Sequence, residues 1–504
     1  MKINLVFLFA LSLFAVNVTV RAQNPASSGQ EMQHHRMQPG TPGMQHYNVP
    51  GMQASPASQG STNPAQVTGA GPQTPAPDLL KDVAKKPAMQ LSQFEQFALA
   101  TNPTLQQANA LVRQSAGQAR QIGLLPNPSV GYQGEQIRGG SYRGGEQGAF
   151  LQQTFVLGGK LGLRRNVFEQ QRKEDEIGAT EQRYRVLSDV QQSYYITLAA
   201  QELVHVRQRL LGLAMDAVET VHQLANVGQA DAPDVLQAEV EAEQAKVDYT
   251  TAQRTFIQEF RTLAALVGKP ELPLSPLAGN LENPPAINPE QIVNQIVQES
   301  PSVKRAQQDI AHAEAEIKSA KRESIPDLTV RAGVEQNFEP INEISTTPVG
   351  LQSFVTAGVT LPLFNRNQGN VRAAEADRER AKAEVTRVEL SLRQSTQPLL
   401  QGYLSELAQA NRYKNEMIPR ATRAYQLYLV KYQQMGAAYP QVIVSQRTLF
   451  QLQAGYITVL QNVWSNAIAL QNYTLSGGLN PAMPSGSMST TLNLPSSGAG
   501  GAAQ

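Results

Sequence analysis

Twice in this chain a strand pattern runs directly into a helix pattern of unusual length, and few folds accept that junction. In the first instance Ala149, Leu151, Phe155 and Leu157 alternate with Gln152 and Thr154, Gly158 and Gly159 follow, and no proline occurs from Lys160 to Asn226. Within that stretch Tyr184, Leu187, Tyr194 and Leu198, then Val206, Leu210, Leu213, Ala217, Val221 and Leu224, recur at intervals of three, four or seven. In the second instance Leu351, Val355, Ala357, Val359 and Leu361 share one face. Val371, Ala374, Ala381, Val385, Val388 and Leu392 then keep a near-strict heptad, broken at Arg378. Period two makes one face apolar and the other polar, whereas the heptad spacing marks a coiled-coil seam. A helix of about 65 residues at 1.5 Å rise is a rod of about 100 Å.

The two instances belong to an internal duplication. FALATNPTLQQANALVRQSAGQARQIGLLPNPSV aligns with IVQESPSVKRAQQDIAHAEAEIKSAKRESIPDLTV, so that Pro103 matches Pro301 and Pro128 matches Pro326. Further on, LANVGQADAPDV matches YQQMGAAYPQV, with Gly228 against Gly436. Each copy reads helix, strand, strand, very long helix, tight turn, helix. The expected repeats cover residues 89–283 (strands near 128–137 and 147–157, long helix 160–226) and 284–476 (strands near 327–338 and 350–361, long helix 366–433). Pro398 and Pro419 should kink the second long helix. Residues 23–88 and 477–504, rich in Gln, Pro, Gly, Ser and Ala, bury too little apolar surface to offset folding entropy and read as disordered.

Each strand is about ten residues long, which crosses a bilayer when tilted, and the connections IRGGSYRGG and EPINEISTTP are polar and long. Four strands cannot close a membrane barrel, which starts at about eight, and lipid tolerates no open edge. A membrane reading therefore requires several copies, and the spacing alone leaves two, three and four open. A soluble hairpin on a coiled-coil structural or adhesive protein is the competing reading.

Residues 1–22 carry Lys2, an apolar run from Ile3 to Val16 and a small-residue site ending at Ala22, the pattern of a secretory signal peptide. There is no cysteine, which removes disulfides, thiolate metal sites and a lipidated N-terminal cysteine. Without Lys2 and Arg21, the chain's 42 basic residues fall to 40 against 41 acidic ones, so charge gives no case for nucleic-acid binding. VLGGKLG lacks the Ser or Thr of a phosphate loop after Lys160, and His205, His222 and His312 stand alone on helices without metal-site spacing. Nothing assembles a catalytic constellation, so neither an enzyme nor a cofactor is expected.

The ordered, duplicated set resembles the TolC family of outer-membrane efflux channels over about residues 91–476. The likeness is carried by LPNPSVGY and IPDLTV before the strands, LPLFNRNQGNVRAAEA from strand to helix, and GQADAPDVLQAE and GAAYPQVIVSQ at the turns. QTFVLGGKLGLRR and LPLFNRNQG look most like the heavy-metal branch. The resemblance implies a homotrimer with a twelve-stranded β-barrel in outer-membrane lipid, continued by an α-helical coiled-coil barrel across the periplasm. It also implies docking on a periplasmic adaptor and an inner-membrane pump of the RND type, and passive export of solutes such as copper, silver, cobalt, zinc or cadmium cations. A periplasmic metal-binding protein and a channel for drugs or organic solutes are the alternatives.

Three groups of residues follow. Gly158, Gly159, Pro362 and Asn365 would sit where barrel becomes tunnel, glycine permitting the swerve from strand to helix. Gly228, Asp231, Asp234, Val235 and Leu236, with Gly436, Gln441 and Val442 in the second copy, match the family's adaptor-facing tip and gate, although Gln441 stands where an acid is expected. Three copies of Asp234 would ring a pore with negative charge, whereas Asp231 or Asp234 simply capping a helix is the plainer role. Lastly, Met32, His34, His35, Met37, Met44, His46 and Met52 put thioethers and imidazoles in a polar segment, a donor set suited to copper or silver, or else a linker of chance composition.

Overall fold

The computed structural model describes residues 79–482 apart from 84, 140, 141, 342–346, 435 and 437, all within the unit Thr74–Gln504. The first repeat runs α1 (Leu91–Thr101), α2 (Pro103–Ile122), β1 (Ser129–Glu135), the short β2 (Arg138–Gly139) and β3 (Tyr142–Arg143), β4 (Glu146–Phe155), α3 (Lys160–Asn226) and α4 (Ala232–Leu266). The second runs α5 (Ile292–Glu299), α6 (Pro301–Arg322), β5 (Leu328–Pro340), β6 (Pro348–Val359), α7 (Gln368–Arg412), a π-turn (Tyr413–Met417), α8 (Ile418–Gln433) and α9 (Tyr439–Gln471). The helix expected over 160–226 has those bounds, and each of the four expected strands overlaps an observed one, with ends shifted by one or two residues. The β2–β3 pair inside IRGGSYRGG was not anticipated, because two-residue strands carry no periodicity.

The helix expected over 366–433 divides. Pro398 lies inside α7 without ending it. At Pro419 the backbone instead widens: the Ile418 amide reaches back five residues to the Tyr413 carbonyl. A proline has no amide to give and its ring crowds the carbonyl four residues earlier, and a π-turn absorbs both. Two edges of the folded region also move outward. Val83, inside the stretch assigned to the N-terminal tail, is buried in the central core. Gly477 and Gly478, assigned to the C-terminal tail, donate their amides to Asp189 at 3.2 and 2.6 Å. Hydrogen bonds to Asp189 and from Gln182 of α3, invisible in composition, hold that segment.

The strands form one antiparallel sheet in the order β1-β4-β5-β6. The helices attached to them (α2 before β1, α3 after β4, α6 before β5, α7 after β6) pack in the matching order α2-α3-α6-α7. Neighbours in the sheet therefore remain neighbours in the helical layer. The connection β4 to α3 passes through Gly158 and Gly159, both left-handed at φ 72° and 71°.

Three apolar clusters hold the helices. The central one joins Phe94, Tyr194, Phe256, Phe260 and Leu263 from α1, α3 and α4. It is flanked by Tyr195 stacked on Trp464 at 3.7 Å. A second joins α5, α7 and α9 through Ile296, Leu400, Tyr403 and Val463. The third closes the far end, from Val218 and Val221 of α3 and Ala238 and Ala242 of α4 to Tyr432 of α8 and Tyr439, Val442 and Ile443 of α9. Ala at the α3–α4 seam lets the two helices approach closely, the packing expected of a coiled coil. Among the described residues no helix is long and apolar enough to cross a membrane.

Candidate functional site: a membrane-facing sheet, a junction and a helical tip

The sheet has two chemically distinct faces. Register places Val130, Leu151, Ala332 and Val355 side by side on one face. Tyr132, Ala149, Val334 and Ser353 form the next row, and Phe155, Leu328 and Val359 lie near the helix end. Val130, Leu351 and Val355 are 79%, 74% and 76% exposed in the single chain. Aliphatic side chains left this open are what a lipid-facing wall presents. The other face carries Ser129, Gln133, Gln152, Thr154, Thr329, Arg331, Glu335, Asn337, Gln352 and Thr356. In this chain β1 and β6 each have one neighbour, so both sheet edges are open.

The junction is built on left-handed residues and ion pairs. Gly159 caps α3 at φ 71°, ψ 16°, and Asn367 caps α7 at φ 62°, ψ 19°. The same backbone bend thus recurs in both repeats, once with glycine and once with the residue that next best tolerates it. Asn367 is further fixed: its side-chain amide donates to the Ala320 carbonyl at 2.8 Å and its backbone amide to Asn365 Oδ1 at 3.1 Å. Asn365 therefore supports the bend and Asn367 makes it, while Pro362 lies ahead of both. Lys160, 3% exposed, reaches Asp327 Oδ1 at 2.6 Å and the Ile325 carbonyl at 2.9 Å. One turn on, Arg164 grips Glu323 through two bonds of 2.7 Å. Lys160 is thus a structural cation, and nothing in the local motif pointed to Asp327 as its partner.

At the tip, α3 ends in a Schellman turn: Gln229 N donates to Leu224 O at 2.8 Å and Gly228 N to Ala225 O at 3.0 Å, with Gly228 at φ 73°. In the second turn Gly436 N donates to Lys431 O at 2.8 Å. Gly436 thereby plays the part of Gln229, one position later than Gly228, so the two glycines are not structurally equivalent. The returning helices do align. Asp234 and Gln441 are both third residues of their helices, with amides donating to Asp231 O at 3.0 Å and Ala438 O at 3.1 Å. Asp231 occupies the N-cap position of α4 but its side chain makes no capping bond. Leu236 is exposed, whereas Val235 packs against the tip cluster and Val442 is buried in it. Val442 therefore serves as core rather than as contact surface.

Two tyrosines meet at the tip. Tyr432 and Tyr439 lie 5.3 Å apart. Burial raises the pKa of both phenols, and the Asp234 charge adds to the effect on each. The buried Tyr432 hydroxyl has no hydrogen-bond partner among the described residues. Of the isolated histidines, His222 meets Glu239 at 3.1 Å, His205 lies on the surface, and His312 is buried on α6. Met32, His34, His35, Met37, Met44, His46 and Met52 fall outside the described residues.

With this geometry in hand, the chain matches the family model for outer membrane efflux protein over residues 96–269 and 292–474, one match per repeat. The chain belongs to the outer membrane efflux protein family. It is similar to the cobalt-zinc-cadmium resistance protein CzcC of Cupriavidus metallidurans, at 23% identity over 74% of this chain and 87% of that one. It is similar to the cation efflux system protein CusC of Escherichia coli K12 at 22% identity, over 76% of this chain and 85% of that one. It is also similar to the toluene efflux pump outer membrane protein TtgF of Pseudomonas putida at 24% identity, over 58% and 61%. A crystal structure of CusC superposes with a TM-score of 0.62 at 18% identity, covering 80% of this chain and 99% of that one. Family membership makes the chain an outer-membrane efflux channel that extends into the periplasm, a component of tripartite systems with an adaptor and an inner-membrane pump. Its folded part is mainly α-helical with a transmembrane β part.

Proposed function

We propose that three copies of this chain form one duct through which metal cations leave the cell. The observation that carries the reading is the four-stranded sheet with one apolar face and two open edges, continuous in neighbour order with the helical layer. Each open edge carries backbone donors and acceptors that lipid cannot satisfy, so β1 of one copy pairs with β6 of the next. Three copies supply twelve strands, and the exposed Leu236, Val240 and Val247 of α4 supply apolar surface for helical neighbours.

The tip formed by α3–α4 and α8–α9 is the end that docks the adaptor, with an RND-type pump behind it. Asp231 and Asp234, repeated around the three-fold axis, place carboxylates at the periplasmic entrance and attract cations there. Gln441 halves the number of acids such a ring could hold. The metal reading draws support from the relatives named for cobalt, zinc, cadmium and cation efflux. The toluene-pump relative favours organic solutes as the second reading. The duct itself performs no chemistry; the pump supplies the energy.

The experiment is complementation. A strain lacking the gene, with its adaptor and pump intact, is scored for tolerance of cobalt, zinc, cadmium, copper, silver and toluene with and without this chain. Restored metal tolerance alone supports cation export. Restored toluene tolerance alone replaces it with organic efflux.

A further inference from the structure

We propose that Arg331 is a charge-setting residue of the barrel, a fixed guanidinium held in the lumen on an aromatic floor, which lowers the barrel's preference for cations over anions without closing it to them. The proposal rests on the shared-barrel reading above. Among the described residues on the polar face of the four principal strands, Arg331 is the only basic side chain. That face is otherwise small or neutral near the helices and acidic toward the outer end, at Glu335, Glu146 and Glu135.

Two large aromatics break the polar pattern, and they explain how the arginine is held. One register row reads Gly131, Phe150, Gly333, Phe354 across the four strands. The Phe150 ring lies over Gly131 and the Phe354 ring over Gly333: a Cβ at either glycine would meet the ring at 2.5 or 2.7 Å. The rings therefore lie down on the wall, in space that only glycine leaves free, and do not project across the channel. Arg331 rests on this floor, its guanidinium 3.8 Å from the Phe150 centroid and 5.6 Å from that of Phe354. It donates to Gln133 Oε1, and its buried Nε has no acceptor among the described residues. Stacking holds a guanidinium without neutralising it, as a carboxylate partner would.

The positive position lies on the helix side of the acidic end and is linked to it: Gln133, whose side-chain oxygen accepts from Arg331, donates its amide to Glu135. Along their strand Arg331 and Glu335 are four residues apart, about 13 Å. A solute moving outward in the trimer thus passes three guanidinium groups before it reaches the acidic mouth, and an anion or the counter-ion of a cation is stabilised at the first.

The test uses the full chain, purified as its oligomer and inserted in planar lipid bilayers, with the reversal potential read in a potassium chloride gradient. Arg331→Gln is expected to raise the potassium-to-chloride permeability ratio about twofold or more. Arg331→Lys keeps the charge and is expected to restore most of the wild-type ratio. Phe150→Leu, which keeps the charge but removes the platform, is expected to give an intermediate ratio. A conducting Arg331→Gln channel with unchanged selectivity overturns the proposal and leaves the shared barrel standing. A wild-type chain that purifies from detergent as a monomer and does not insert overturns both.

Discussion

Lys160 Nζ lies 2.6 Å from Asp327 Oδ1, and this contact joins the first residue of one repeat's long helix to the residue preceding the other repeat's first strand. It sits where sheet becomes helical layer, so it helps set the angle between them. Asp327 also accepts the Leu157 amide at 3.1 Å. Removing one member of a buried pair strands the other, at about 3–5 kcal/mol when both are fully enclosed. Asp327 is one-third exposed and keeps its amide donor. Lys160→Met is therefore expected to cost about 2 kcal/mol, read as a lower melting temperature of the detergent-solubilised protein. Asp327→Asn should cost less, because the amide oxygen still accepts from both groups.

The two junction glycines should differ in tolerance. Both are left-handed, which costs an L-residue about 1–2 kcal/mol. Only Gly158 is also crowded: a Cβ there would lie 2.6 Å from Ile325 Cδ1, whereas the space at Gly159 is open. Gly158→Ala should reduce the yield of assembled protein more than Gly159→Ala does. Gly159→Asn, copying Asn367, should be the mildest of the three, and an equal loss for all three would contradict the account.

At the tip, Tyr432→Phe removes a buried hydroxyl that has no partner among the described residues. An unsatisfied buried donor costs about 1–3 kcal/mol, so the variant is expected to melt at the same temperature or slightly higher. A clear destabilisation would mean that the hydroxyl finds its acceptor in a neighbouring copy.

Glu174 on α3 gives a pH dependence. Burial raises its carboxyl pKa, and Arg305, whose Nε lies 3.3 Å from Glu174 Oε1, offsets this only in part. A carboxyl whose folded pKa is raised binds its proton more tightly in the folded state. Its contribution to stability is therefore complete below the unfolded pKa and is lost as pH rises through the folded one. Glu174→Gln should flatten that part of the stability profile on acidification from neutral pH through the carboxylate range, measured by thermal unfolding across pH. A Gln variant that retains the full slope would assign the titration to another group.

Deleting residues 31–53, which hold the Met and His donors from Met32 to Met52, tests whether that segment contributes to metal handling. Lower tolerance of copper and silver is expected, with the oligomeric state unchanged. Unaltered tolerance would leave the segment a linker.

Much of the architecture was legible in the order of residues. Period-two alternation located β4, β5 and β6, the absence of proline bounded α3, and the duplication predicted two strand-to-helix junctions and two tips. These signals are local: they reflect which side of one element meets water or lipid, and neighbouring residues record that directly. The tertiary structure decided what depends on residues far apart in the chain. Asp327 as the partner of Lys160, Asp189 as the anchor of Gly477 and Gly478, and Val442 as core are set by packing that brings separate elements within a few ångströms. The offset between Gly228 and Gly436 comes from hydrogen-bond geometry that a shared residue type does not reveal. The row Gly131, Phe150, Gly333, Phe354 beneath Arg331 exists only once register is fixed, because it joins four strands from both repeats.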